Sequence, residues 1–368
     1  MLNEILKQRD LLPILTHDDG TPVTKESWPL RRQEMRNALE VYSYGHSPDV
    51  PLKVWGKVSV EHPEAYAGKV REQDLYICFK TNRGSFDFPA KLLIPKNVEK
   101  PPVMLHLAFR KELPDRYVPV EEIIDAGYAL AVVCYEDLVN DKGFGDYSDG
   151  IALHFGTTIH RQPEEWGKIG MWAYGASRFL DYLLTREDLD AKHTAISGHS
   201  RLGKTALWAG ALDERFWAVI SNCSGYGGAA TSKHGTGERV WMFLKAGSWD
   251  WYCENFKNYD GDKEDCKPYD QAYLLALVAP RYLCVGSAEE DHYADPESEF
   301  LTSLWASQAW ELLDKPGLIT PDQLPQAGDV LGEGSISYHM RKGTHFLSRE
   351  DWNNYIHFLN AKLAEEAK

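Results

Sequence analysis

A serine set between two glycines is the residue whose setting most directly suggests chemistry. Ser200 lies in the run Gly198-His-Ser-Arg-Leu-Gly203, after a short apolar segment and before a segment with helical spacing. A serine hydroxyl is a poor nucleophile near neutral pH, so enzymes place it on a tight strand-to-helix turn within reach of a histidine. The spacing is one residue longer than the usual nucleophile elbow. The competing interpretation is a helix N-cap, a common role for serine after a strand.

A nucleophilic serine needs a base, which in α/β-hydrolase chain order comes near the end of the sequence. His345 lies in Arg341-Lys-Gly-Thr-His345, a predicted loop just before the last amphipathic helix. His339 and His357 are nearby competitors, the first in a predicted strand and the second inside the final helix. Both are less free to reach Ser200, so His345 is the predicted base.

The acid of such a site is expected in a loop after a later strand. The segment Ser287-Ala-Glu-Glu-Asp-His-Tyr-Ala-Asp-Pro296 follows a predicted strand and is rich in carboxylates. Asp291, Glu290 and Glu289 are the candidates, and we favour Asp291. A solvated acidic loop without a catalytic role is the alternative.

The elements that would position these residues form an α/β pattern. Short apolar runs separated by amphipathic stretches predict a parallel sheet with crossover helices. The predicted strands of the sheet are 103–107, 128–134, 193–197, 218–222 and 281–286. The predicted helices that pack on it include 168–186 and 201–212.

The first 95 residues have a different texture. A polar helix is predicted around 27–42, and two strands at 75–79 and 86–94 are predicted to pair antiparallel across the turn at 82–84. We find no linker or internal repeat. The expected architecture is therefore one α/β-hydrolase domain over 1–368, a three-layer αβα sandwich with a mostly parallel sheet, comprising an elaboration at 1–95 and a catalytic core at 96–368.

Composition excludes several functional classes. The formal charge of -15 disfavours a nucleic-acid partner, and no apolar run is long enough to span a bilayer. Six cysteines in 368 residues form no dense disulfide framework, and no Cys/His pattern at zinc spacing occurs, so no structural metal is expected. The N-terminus has no signal-peptide pattern. A sequence from which a signal peptide had been removed would look the same, so export stays open.

Four segments together resemble the family-15 carbohydrate esterases, the glucuronoyl esterases. They are Gly198-His-Ser-Arg-Leu-Gly-Lys204, Asn222-Cys-Ser-Gly-Tyr-Gly-Gly-Ala-Ala230, Leu277-Val-Ala-Pro-Arg281 and Glu289-Glu-Asp-His-Tyr-Ala-Asp-Pro296. The resemblance covers roughly residues 100 to 360. It implies an α/β-hydrolase that cleaves the ester between 4-O-methyl-glucuronic acid on xylan and a lignin alcohol, without a cofactor. The expected partner is a glucuronate-bearing carbohydrate ester, and the expected assembly is a monomer.

The resemblance also implies roles for single residues. Ser200 would be the nucleophile and His345 the base, while Arg201 would stabilise the oxyanion through its backbone N–H and its guanidinium. Three further residues would bind the sugar: Lys204 through hydroxyl groups, Glu238 as a sugar-binding glutamate, and Tyr293 where the family has tryptophan.

The sequence departs from the family pattern at two other places. Part of the family has a glutamate directly after the strand that follows the elbow helix, and this chain has Cys223 there. A cysteine cannot replace a carboxylate, so Asp291, which matches the acid position of other bacterial members, is the expected triad acid. The loop 106–113 is more charged than in many members. It is expected to reshape the part of the site that holds the leaving alcohol.

Two other functions remain open from the sequence. One is an esterase with another preference, such as removal of acetyl groups from xylan with the same triad. The other is a non-catalytic carbohydrate-binding relative, suggested by the altered acid and aromatic positions.

Overall fold

Runs of buried apolar residues form the central strands of a mixed ten-stranded sheet. The computed structural model describes all 368 residues. The strands are β1 (Lys53–Ala65), β2 (Val70–Thr81), β3 (Gly84–Pro95), β4 (Pro102–Ala108), β5 (Ala129–Cys134), β6 (Asp190–His199), β7 (Ala218–Asn222), β8 (Tyr282–Ala288), β9 (Val330–Leu331) and β10 (Ile336–Arg341). Their order in the sheet is β1-β2-β3-β5-β4-β6-β7-β8-β10-β9.

The six strands from β5 to β10 in this order pair in parallel, as the apolar runs predicted. A parallel arrangement places all their carboxyl ends at one edge of the sheet, where sites of α/β proteins lie. The loops after β6, β7, β8 and β10 carry Ser200, Cys223, Asp291 and His345 respectively. The topology alone therefore brings these four residues to one edge.

Helices cover both faces of the sheet. They are α1 (Leu2–Arg9), α2 (Trp28–Leu39), α3 (Val120–Asp125), α4 (Gly150–Phe155), α5 (Lys168–Leu183), α6 (Arg201–Leu212), α7 (Val240–Ala246), α8 (Gln271–Ala276), α9 (Pro296–Leu312) and α10 (Arg349–Glu366). Alternate strand residues face two separate apolar cores: α5, α6, α8 and α9 pack on the larger core, and α3 and α10 on the smaller one. The predicted three-layer α/β-hydrolase architecture is confirmed.

Local sequence explains where the two helices nearest the site begin. The predicted helix 201–212 is α6 residue for residue, and it starts where the strand β6 ends. The helix α10 begins after Ser348, whose hydroxyl accepts from the backbone of Asp351 while the Asp351 carboxylate accepts from the backbone of Ser348. This capping box stabilises the helix that follows the loop of His345.

The N-terminal strands continue the same sheet. The strands β2 and β3 pair antiparallel, as predicted, and β3 then pairs with β5 of the core through Leu92 and Ala131. The strand β1 was not predicted; most of its 13 residues are exposed, including Val58 and Val60, the alternating apolar pair within it. That residues 1–368 fold as one domain stays a prediction. No helix combines the length and apolar character needed to cross a bilayer.

Candidate active site

The turn between β6 and α6 is built by close packing around two glycines. A Cβ on Gly198 would lie 2.1 Å from the carbonyl oxygen of Leu202, and one on Gly203 would lie 3.0 Å from Cβ of Ser224. The separation at Gly198 leaves no room for a side chain, and the one at Gly203 is tight. Glycine at position 198 is therefore explained by the close packing of the strand end against the first turn of the helix.

Ser200 occupies the N-cap position of α6 but does not cap the helix with its side chain. Its φ of 58° lies in the left-handed region, which is uncommon outside glycine and marks a strained turn. Its backbone N–H donates to the carbonyl of Asn222 across 2.9 Å, which fixes the elbow to the end of β7. The N-cap interpretation thus fails, and the hydroxyl remains available for chemistry.

His345 and Asp291 form a close pair beside the elbow. Nδ1 of His345 lies 2.6 Å from Oδ2 of Asp291. An ionised carboxylate only accepts hydrogen bonds, so Nδ1 carries the proton and Nε2 is the free, basic nitrogen. The ring centroid of His345 lies 4.5 Å from that of His199, the residue before Ser200. The structure thus brings the predicted base and the favoured acid together next to the serine's segment.

The other sequence candidates lie elsewhere. Glu289 and Glu290 are exposed, and only their backbone N–H groups are engaged, with the carbonyls of Arg341 and Gly343. His339 is buried in β10 and bonds to Asp351, 2.8 Å away, and His357 is exposed on α10. None of these four alternatives forms the contact that His345 and Asp291 make.

The electrostatic setting keeps Asp291 ionised. Burial of its carboxylate opposes ionisation, but the hydrogen bond and the positive charge of His345 outweigh burial and lower the pKa of Asp291 below its usual value. The backbone N–H of Ala294 adds a weaker donor to Oδ1 at 3.3 Å. An ionised acid is what a triad requires to stabilise the imidazolium that forms during catalysis.

His199 is held neutral under the ring of His345. Burial, assisted by the charge of His345, lowers the pKa of His199 to about 3. Its Nδ1–H donates to Oδ1 of Asn222 across 2.7 Å, and Asn222 donates to the hydroxyl of Tyr355 across 2.9 Å. His199 thus supports His345 as an uncharged platform.

Arg201 is clamped by groups that the sequence did not reveal. Its Nη1 donates to Oδ2 of Asp141, and its guanidinium carbon lies 4.6 Å from the ring centroid of Trp251. Asp141 is buried and also accepts from Nε1 of Trp251 across 2.7 Å and from the hydroxyl of Tyr135 across 3.3 Å. A stacked, hydrogen-bonded guanidinium is a fixed cation, the kind that catalysis uses against developing negative charge.

Lys204 lies beneath the site rather than in it. The side chain is 3% exposed. Its ammonium donates to the carbonyls of Ser224 and Tyr226, each at 2.7 Å, and to Oε2 of Glu238 at 2.8 Å. An ammonium has three donors, and all three are used within the protein. That Lys204 binds sugar hydroxyls stays a prediction, and in this structure its donors are directed to the protein.

A buried carboxylate on α9 supports the loop that accepts from Lys204. Glu299 accepts from the backbone N–H groups of Ser224 and Gly225 at 2.8 and 2.9 Å and from the hydroxyl of Ser287 at 2.6 Å. Burial and the charge of Asp291 raise the pKa of Glu299 to about 7, against these donors. Nothing in the sequence distinguished this residue from the surface carboxylates.

An open cleft of about 340 Å³ adjoins the elbow. Arg201, Glu238 and Tyr293 line it together with Trp251 and Asp141. Tyr293 is 69% exposed, and its carbonyl accepts from the backbone N–H of Glu238 across 2.9 Å. The two predicted sugar-binding residues thus share one wall of the cleft, and an exposed aromatic ring is suited to cover the apolar face of a pyranose.

Cys223 is buried directly behind the acid–base pair. It has a positive φ of 45° and donates its backbone N–H to the carbonyl of Gly286 across 2.7 Å. Burial, together with nearby carboxylates including Glu299 and Asp291, raises the pKa of its thiol well above the usual value. Position 223 therefore holds a neutral thiol at the place where part of the resembled family has a carboxylate.

Comparison with known families agrees with this geometry. A family model described as fungal glucuronyl esterase matches residues 77–314. A carbohydrate esterase of an unknown prokaryotic organism is 34% identical over 390 aligned residues, which cover 95% of this chain and 89% of that protein. A 4-O-methyl-glucuronoyl methylesterase of Schizophyllum commune is 26% identical, with 82% of this chain and 73% of that protein covered.

Solved structures show the same relation. A glucuronoyl esterase from Solibacter usitatus superposes with a TM-score of 0.86 at 35% identity, covering 96% of this chain and 97% of that chain. A promiscuous esterase of carbohydrate esterase family 15, from a marine bacterial metagenome, superposes with a TM-score of 0.85 at 32% identity, covering 95% and 96%.

Proposed function

Because the chain belongs to the glucuronoyl esterase family and is a carboxylic ester hydrolase, we propose that Ser200, His345 and Asp291 are its catalytic triad. The observation that carries this proposal is the 2.6 Å contact between Nδ1 of His345 and Oδ2 of Asp291. That contact orients the imidazole and leaves Nε2 to act as the base. The packing of His345 on His199, next to Ser200, supports the same assignment.

The reaction proceeds through an acyl-enzyme. His345 Nε2 takes the hydroxyl proton of Ser200 as Oγ attacks the ester carbonyl, and the resulting imidazolium is stabilised by Asp291. His345 then gives the proton to the departing alcohol, leaving the uronoyl group bonded to Ser200. In the second half, His345 activates a water molecule, which releases the uronic acid and restores the serine.

Arg201 stabilises the tetrahedral intermediate. Its backbone N–H lies in the first turn of α6, at the positive end of the helix, and its guanidinium lines the cleft. Losing one such donor typically costs about 2.7 to 4 kcal/mol of transition-state stabilisation. Asp141 and Trp251 act through Arg201 by holding the guanidinium in place.

The substrate is an ester of glucuronic acid or of its 4-O-methyl derivative. Glu238 and Tyr293 line the same cleft as Arg201 and provide a hydrogen-bonding carboxylate and an aromatic face for a sugar on the acyl side. An acetyl group would use neither residue. Lys204 contributes by holding the Glu238 carboxylate, and Glu238 forms the contact with the sugar.

The triad is tested by replacing the serine and by comparing two neighbouring carboxylates, Asp291 and Glu290. Ser200→Ala should abolish turnover of benzyl glucuronate, and Asp291→Asn should lower kcat by a factor of about 10⁴, as acid-to-amide changes do in other triads. Glu290→Gln, one residue away but exposed, should leave kcat near that of the parent. Turnover retained by Ser200→Ala, or an equal loss in the two carboxylate variants, would exclude the assignment.

Substrate class is tested by comparing acyl groups. The kcat/KM for benzyl glucuronate should exceed that for 4-nitrophenyl acetate, and Glu238→Gln should reduce the first value while sparing the second. Equal losses on both substrates would mean that Glu238 does not contact the sugar.

A further inference from the structure

Three metal-binding side chains converge where neighbouring strands end. Cys223 follows β7, Asp291 follows β8 and His345 follows β10, and these strands are adjacent in the sheet. One ligand atom from each residue lies within 4.8 Å of the other two. We propose that this cluster binds a thiophilic divalent cation such as Zn²⁺ or Cd²⁺, and that the bound ion inhibits the enzyme.

The ligand set and its dimensions suit such an ion. Thiolate sulfur, imidazole nitrogen and carboxylate oxygen are the usual zinc ligands, with bonds of about 2.3, 2.0 and 2.1 Å. In a tetrahedral site, bonds of these lengths separate the ligand atoms by about 3.3 to 3.6 Å. The 2.6 Å contact between His345 and Asp291 must open by less than 1 Å to reach that spacing.

The exposed member of the cluster is His345. Cys223 and Asp291 are buried, whereas the His345 side chain is 44% exposed. Three protein ligands fill three positions of a tetrahedral ion and leave the fourth for water, as in zinc sites with an open position.

Charge balance favours the bound state despite the burial of the thiol. Before binding, the cluster holds one negative charge, on Asp291, with a neutral thiol and a neutral imidazole. Binding of the dication releases one proton to solvent, from the thiol, while the proton on His345 Nδ1 moves to Nε2 so that Nδ1 can bind the ion. The ion, the thiolate and the carboxylate then sum to zero, so no net charge is buried.

Inhibition follows from the geometry. The ion takes the place of the proton between His345 and Asp291, so the hydrogen bond that orients the imidazole is lost. This consequence rests on the proposed triad, whereas binding of the ion does not. The ligands lie far apart in the sequence, which is why no zinc spacing was visible in it.

Binding is tested by titrating the full chain with Cd²⁺ and recording the ultraviolet thiolate-to-cadmium absorption. The titration uses a Cys266→Ser background, because Cys266 is the one exposed cysteine. We expect the absorption to saturate at one equivalent, to be lost in added Cys223→Ser and Cys223→Ala variants, and to persist in the matched control Cys253→Ser, which removes another buried thiol. Thermal unfolding of each variant confirms that it is folded. Absence of the band in the parent, or its persistence without Cys223, would overturn the proposal.

Inhibition is measured separately, with each variant's rate expressed relative to its own rate in EDTA. The Zn²⁺ concentration for half-inhibition should rise at least tenfold in the Cys223→Ser variant, and an unchanged value would refute inhibition through this cluster. If Ser200→Ala retained turnover, the triad would be wrong, yet the Cd²⁺ absorption would still decide whether the site exists.

Discussion

Lys204→Met is expected to destabilise the protein as well as weaken catalysis, because the ammonium supports buried groups. Substitution removes the donor to the carbonyls of Ser224 and Tyr226 and leaves the Glu238 carboxylate without its cation. Ser224 and Tyr226 are almost fully buried, so water cannot replace the lost hydrogen bonds there. Methionine matches the length of lysine, so the loss is one of charge and hydrogen bonding and not of volume.

The expected cost is that of breaking a buried pair, about 3 to 5 kcal/mol. An unfolding entropy of about 2.1 cal/mol/K per residue gives about 0.8 kcal/mol/K for a chain of this length. The melting temperature should therefore fall by about 4 to 6 °C. Calorimetry or circular dichroism measures the shift, and kinetics on benzyl glucuronate follow the accompanying rise in KM.

Glu238→Gln is the matched control for this experiment. The Glu238 side chain is 27% exposed, and as an amide it still offers an oxygen to the Lys204 ammonium, so the melting temperature should fall by less than in Lys204→Met while KM rises. A Lys204→Met variant with an unchanged melting temperature and a raised KM would show direct contact between the ammonium and the sugar, and would refute the supporting role.

Three further outcomes follow from other parts of the structure. Asp141→Asn should lower kcat on benzyl glucuronate by about 10-fold to 100-fold with little change in KM. This loss of kcat is smaller than that caused by removing an oxyanion donor, because Arg201 stays but is held less firmly. A change in KM alone would contradict this prediction. The pKa of Asp291 is lower in the folded protein than in the unfolded chain, where it is about 3.9. Ionised Asp291 therefore stabilises the folded protein fully above pH 3.9, and this stabilisation is lost as the pH falls through the pKa of the folded state. The free energy of unfolding should thus fall more steeply below pH 4 in the parent than in Asp291→Asn, and parallel curves would be inconsistent with the shift. Calorimetry should show one unfolding transition for residues 1–368, and two separate transitions would divide the chain.

Local patterns sufficed for the elements that hold the triad. The elbow helix, the parallel strands and the loop of His345 were predictable because each depends on apolar periodicity, glycine positions and chain order within a short segment. The long edge strand β1 was not, because its alternation at Val58 and Val60 is short, lies among charged and polar residues, and belongs to a strand that is mostly exposed.

The partners of the predicted side chains could not be obtained in the same way. Asp141 reaches Arg201 across 60 positions and Trp251 across 110, so no spacing rule connects them. Two of the three Lys204 donors go to backbone carbonyls, which every residue carries and which therefore leave no signature in the sequence. The family resemblance indicated which residues matter but not whether Lys204 touches a ligand or supports a neighbour.

The residues proposed for the reaction and those that line the cleft come from different parts of the chain. Ser200, Asp291 and His345 follow parallel core strands, whereas Asp141, Glu238 and Trp251 belong to connections outside those strands. Changes in these connections that spare Asp141 and Trp251, which hold Arg201, can therefore alter which ester is accepted while the proposed oxyanion cation stays in place. A library confined to 142–149 and 235–248 would sample new specificities without replacing either residue.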